Sequence, residues 1–87
     1  KDVFVEGVEI SVEPNPFTES AFFTIKSLIP FKQYTLSLYD LQGRLLRQEQ
    51  HTTNRFPIAR ATLAPGLYVY QLKGDGQLLN SGKIVVH

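Results

Sequence analysis

The residues in this sequence whose types could do chemistry are few and stand far apart. The two histidines are His51 and His87. A zinc site needs three or four ligands converging from close spacings. Neither imidazole has such company, so both are expected to be exposed. Ser11, Ser20, Ser27, Ser37 and Ser81 are nucleophiles by type only. None lies in the Gly-x-Ser-x-Gly turn that lifts a hydroxyl towards a base. Cysteine is absent, which excludes thiolate catalysis, thiolate ligation and disulfide support. Glu9 and Glu13 are the nearest approach to paired carboxylates, and they read as a solvated face. No glycine-rich loop that would cradle a phosphate occurs. Lys83 with Asn80 or Asp40 could close an isopeptide bond, but no spacing supports it. The expectation is a domain that is not an enzyme, with no metal and no cofactor.

Nine basic and eight acidic residues give a net charge of +1. Lys26, Lys32, Arg44, Arg47, Arg55, Arg60, Lys73 and Lys83 are scattered, so no phosphate-tracking stripe forms and no nucleic-acid partner is expected. Asn15, Asn54 and Asn80 are not in glycosylation triplets. No apolar run reaches the ~18 residues that a spanning helix needs. No leader peptide is visible, so export would rely on a leader elsewhere on a longer parent chain.

The elements behind these residues are short. Eighty-seven residues with 43% hydrophobic content, including six Phe and four Tyr, suffice for one domain with a modest core. Turn signals recur every 8–12 residues, the spacing of a sandwich or barrel. Strands are predicted over 8–12, 21–28, 33–40, 44–50, 55–58, 67–73 and 77–86. Side chains alternate along a strand. That places Phe23 and Ile25 on one face, then Tyr34, Leu36 and Leu38, then Tyr68, Tyr70 and Leu72. The fold class is all-β, an Ig-like seven-stranded antiparallel sandwich. Residues 1–7 read as a linker or N-terminal tail, with an edge strand through Val3, Phe4 and Val5 as the alternative, and 8–87 as the domain.

The turns carry mechanisms. Asp40 can accept from the backbone two residues on, and Gly43 can take the left-handed conformation closing a type I turn. Gly74-Asp75-Gly76 is a hairpin tip. Pro14-Asn15-Pro16 ends the first strand and redirects the chain, because neither proline has an N–H. Tyr34, Tyr39, Tyr68 and Tyr70 are read as core rather than as a sugar-stacking platform. Shared exposure of Tyr39, Tyr68 and Tyr70 on one face would favour the platform.

The order of these motifs carries more than any one of them. Pro14-Asn15-Pro16-Phe17 comes first. Leu38-Tyr39-Asp40-Leu41-Gln42-Gly43-Arg44 follows, then Leu63-Ala64-Pro65-Gly66-Leu67-Tyr68. Gly82-Lys83-Ile84-Val85-Val86 comes last. The series resembles the type A C-terminal sorting domains of the type IX (Por) secretion system of Bacteroidetes.

That resemblance implies a sorting signal rather than a catalyst. The domain would direct a passenger, N-terminal to it on the parent chain, through the outer-membrane translocon. A sortase-like cell-surface protease would then process it, and the passenger would be surface-attached or released. The implied location is exported, from periplasm to outer membrane, cell surface or medium. Translocon and protease recognition would fall on Gly82, Lys83, Ile84, Val85 and Val86, with Gly82 allowing a bend and Lys83 placing a charge. A terminal strand of this kind can also peel away or extend a partner's sheet. Pro14, Asn15, Pro16, Asp40, Gly43, Arg44, Gly66 and Tyr68 are fold markers. Edge strands leave a weak homodimer open. The competing class is a carbohydrate-binding or adhesive Ig-like module of a surface protein.

Overall fold

A computed structural model describes residues 7–87. Apart from Gly7, the expected linker lies outside the described residues. Seven strands follow in order. They are β1 (Val8–Glu13), β2 (Ser20–Ser27), β3 (Tyr34–Tyr39), β4 (Leu45–His51), β5 (Arg55–Ala59), β6 (Gly66–Gly74) and β7 (Gln77–Val86). They form a three-stranded sheet, β1-β2-β5, and a four-stranded sheet, β4-β3-β6-β7. Every strand pair within them is antiparallel. This is the expected Ig-like sandwich.

The alternation read from the sequence sets the core. Ala21, Phe23 and Ile25 of β2 face Leu36 and Leu38 of β3 and Tyr70 and Leu72 of β6 across the sandwich, all buried. Phe23 spans the two layers. Its ring stacks on Phe56 at 5.6 Å and meets the edge of Tyr70 at 5.0 Å. Offset-stacked and edge-on contacts of this kind stabilise beyond simple area burial.

The turns form as their residues dictate. Gly43 donates to the Asp40 carbonyl at 3.0 Å, Asp40 donates back to the Arg44 carbonyl at 3.1 Å, and Gly43 has φ 85°. This is a type I turn closed by a left-handed residue, which favours glycine. The β6–β7 hairpin has positive φ at Asp75 (49°) and Gly76 (84°). The Asp75 carboxylate also reaches back to accept from the backbone N–H groups of Lys32 and Gln33.

Strand ends differ slightly from expectation, for local reasons. β2 stops at Ser27 because its hydroxyl donates to the Ile29 carbonyl and accepts the Ile29 N–H, turning the chain. Leu28 is thereby left 92% exposed. Arg44 falls outside β4 because Asp40 draws its backbone and guanidinium into the turn.

The alternation assigns Leu38, 1% exposed, to the centre of the core. Leu38→Ala is expected to destabilise by about 2–5 kcal/mol through lost burial and the cavity left behind. Thermal melting measures it, and an unchanged melting temperature would refute the inward assignment of β3.

Candidate recognition site

The five residues expected to be recognised belong to one strand but not to one surface. Along β7, Ile84 and Val86 point into the core at 0% and 2% exposure. Lys83 and Val85 point out of the sandwich. Gly82 makes no bend, contrary to expectation. It lies within β7, directly opposite Tyr70. A Cβ there would stand 2.9 Å from the Tyr70 ring and hydroxyl oxygen. Gly82 is a floor for that ring, whose hydroxyl donates to Asn80 Oδ1 at 3.0 Å. Burial pushes the Tyr70 hydroxyl pKa up. Lys83 is outward and Asn80 inward, and the Asp40 carboxylate is held by Arg44. The candidate isopeptide partners are therefore not brought together.

A contact invisible in the sequence order joins the first motif to the last. The Asn15 side-chain amide donates from Nδ2 to the Lys83 carbonyl at 3.2 Å. Its Oδ1 accepts the Val85 N–H at 3.0 Å. Two residues later the backbone takes over: Phe17 N–H donates to the Val85 carbonyl at 3.0 Å, and His87 N–H donates to the Phe17 carbonyl at 2.9 Å. Phe17 pairs with Val86 as a parallel bridge. The amide of Asn15 thus stands in for one residue of a neighbouring strand. β6 bonds one edge of β7, and residues 15–17 bond the other over its last part, residues 83–87. The structure holds the end of this terminal strand from both sides.

Pro14 and Pro16 frame the clasp, with cis peptide bonds at Glu13-Pro14 and Asn15-Pro16. Arg60 adds to it, donating from Nη1 to the His87 carbonyl at 3.2 Å and from Nε to the Leu63 carbonyl at 3.0 Å. The other fold markers sit nearby in function. Asp40 accepts from the Arg44 N–H at 2.9 Å, the Arg44 Nε at 2.7 Å and the Gln42 N–H at 3.0 Å. These donors, the Arg44 backbone N–H foremost, hold its carboxyl below the ordinary range. Gly66 opens β6, and the Tyr68 hydroxyl donates to the Ala64 carbonyl, pinning the turn before that strand.

The remaining candidates resolve differently. Tyr68 and Tyr70 are buried while Tyr39 lies half-buried on the opposite face of the sheet, so no tyrosine platform exists. His51 is not an exposed imidazole. It is half-buried, stacked 3.9 Å from the Phe56 ring, with Nε2 3.0 Å from Glu49 Oε1. Glu49 in turn lies 3.5 Å from Arg47. Arg47 donates to the carbonyls of Ala59 and Arg60 across the gap between sheets. No group of three metal-ligating side chains occurs among the described residues.

The family model described as "Secretion system C-terminal sorting domain" matches residues 11–87. Comparison with curated proteins gave no match.

Two outcomes test the clasp and the hairpin. Asn15→Ala should release both side-chain bonds, at roughly 1–3 kcal/mol for the pair. Asn15→Asp should lose only the bond to Lys83. Hydrogen exchange at the Val85 amide should accelerate strongly in the first and weakly in the second; equal rates in all three proteins would refute the clasp. The Asp40 carboxyl has a folded pKa below its ordinary 3.8. Its contribution is therefore complete at neutral pH and fades as pH falls from 3.8 towards the lower folded value. Acid melting of Asp40→Asn should be flatter there than that of the wild type.

Proposed function

The chain belongs to the secretion system C-terminal sorting domain family, and from that premise we propose how it handles a passenger. The family is one of type IX sorting signals, not of enzymes, and its members mark secreted or cell-surface proteins. The passenger lies ahead of residues 8–87 on the parent chain and is carried through the outer-membrane translocon. A sortase-like surface protease then cuts the connection before the domain, and the passenger is attached to the surface or released. The domain does no chemistry of its own. The last strand, Gly82 to Val86, is the part on which recognition depends.

One observation supports this reading most. Asn15, Phe17 and Arg60 hold residues 83–87 at a fixed place on the surface of the sandwich. A fixed strand presents Lys83 and Val85 in one orientation, at low entropic cost to a partner that binds them. The backbone edge of that strand is taken, so a partner strand could add there only by displacing residues 15–17. Any weak homodimer would use another edge, and β1 is the candidate. Among the described residues no strand pairs with its outer edge, and it has neither proline nor inward charge within it.

The test is a fluorescent reporter fused ahead of residues 1–87, behind an ordinary export leader, in a bacterium with type IX machinery. The reporter is expected at the surface or in the medium, with a mass showing loss of the domain. A reporter without residues 8–87 should stay periplasmic. A full fusion that also stays periplasmic would overturn the sorting reading. Exported but uncut reporter would remove the protease step alone. Deleting residues 82–87 is not a clean control, because it also strips Ile84 and Val86 from the core.

A further inference from the structure

Four of the large apolar side chains left exposed belong to the outer side of the four-stranded sheet and its hairpin. Leu41 is 62% exposed, Leu45 53%, Leu46 44% and Leu67 36%. The register aligns them with the outward residues of the motifs. Leu45 lies opposite Tyr39, Tyr39 opposite Val69, and Val69 opposite Lys83. Leu67 lies opposite Val85. One row therefore crosses all four strands, and a second continues it at the end where the clasp holds β7. Tyr39, Leu41, Val69 and Gln71, with Asp40 and Gly43, line a shallow groove of about 400 Å³ in the middle of this face.

Among the described residues, the charge that the strands of this face turn outward has one sign. Outward positions of the four strands carry Lys73 and Lys83 and no carboxylate, since Glu49 points into the sandwich. Asp40, which lines the groove, is already paired with Arg44. Contiguous apolar surface rimmed by polar groups marks a docking site, and complementary charge sets orientation and approach.

We propose that this face is the surface the export machinery reads. It rests on the sorting reading above. Its occupant is a protein surface of that machinery, apolar at its centre to cover Tyr39, Leu41, Leu45, Val69 and Val85, with a carboxylate placed to meet Lys83. Recognition then runs through side chains on a pleated face, and the hydrogen-bonded edge of β7 stays closed. Val85 and Lys83 are the two members of the last motif that reach this surface, while Gly82, Ile84 and Val86 act from beneath it.

The reporter fusion distinguishes this proposal from its premise. Leu45→Glu with Val69→Glu puts carboxylates into the apolar row, and Lys83→Glu reverses the rim charge. Ser11→Glu, on the outer face of the other sheet, is the control. Melting of each purified domain confirms that it folds. Exported reporter is expected to fall at least tenfold for the double variant and several-fold for Lys83→Glu, with the control unchanged. Should the double variant fail to fold, Lys83→Glu alone decides. Face variants exported like the wild type would overturn the proposal while leaving the sorting reading intact. Failure of the wild type to be exported would remove the premise and the proposal together. Sedimentation of the isolated domain covers the alternative occupant: a wild-type dimer that the double variant abolishes would mean a second copy fills the face, and would overturn the assignment.

Discussion

The interaction on which the rest of this sandwich depends is the grip of Asn15 and Phe17 on the last strand. The two layers meet at one side through β1 and β7, which are not hydrogen-bonded to each other. The connection from β1 to β2 fills that gap. It supplies one amide side chain and the backbone N–H and C=O of one residue, and these satisfy Lys83, Val85 and His87. The same connection drops the Phe17 ring, 2% exposed, into the core beside Val86. Polar closure at the edge and apolar closure beneath it therefore come from neighbouring residues. Each supports the other, since a buried ring fixes where the amide stands. Prolines on either side of Asn15 limit the backbone conformations that the clasp must freeze.

The opposite side is closed by charge. Arg47, Glu49 and His51 alternate along β4 towards the interior, where a core strand would carry apolar residues. Arg47 spans to the ends of β5, and His51 lies flat on Phe56. Inward charges on an edge strand oppose edge-to-edge association. β5 achieves the same by Pro57 in its middle. With β7 clasped, three of the four outer strands carry such a device. A chain that must cross compartments before it reaches its destination gains from edges that do not pair with its neighbours.

Much of this was legible in the sequence, because alternation and turn chemistry are local. Phe23 and Ile25, Leu36 and Leu38, and Tyr70 and Leu72 declare their face two residues at a time. Asp40 and Gly43 declare their turn within four. The missing parts are those set by distant partners. Nothing near Asn15 announces a bond to Lys83, 68 positions away. The role of Gly82 is hidden for the same reason. A glycine in a strand allows a bend or a close approach, and the choice rests on Tyr70 in the neighbouring strand. His51 was read as free because Phe56 and Glu49 become its neighbours only when the sheets close.

The last motif illustrates how a short stretch can be unreadable as a string. In Gly-Lys-Ile-Val-Val, three of five residues face inward, where no partner reaches them without unfolding the strand. Their identities answer to Tyr70, to Phe17 and to the core. The remaining two, Lys83 and Val85, are too few to specify a partner on their own. They acquire neighbours only when β3, β4 and β6 have folded beside them, bringing Tyr39, Leu45 and Val69 into the same rows. A receptor that uses those rows responds to a completed sandwich and not to an unfolded tail of identical sequence. The clasp then has a second consequence. By holding β7 in register, Asn15 keeps Lys83 opposite Val69, and a shift of one residue would turn Lys83 inward and Ile84 out. On the proposed reading folding and addressing are the same event, with Asn15 acting through the position it imposes on two exposed side chains.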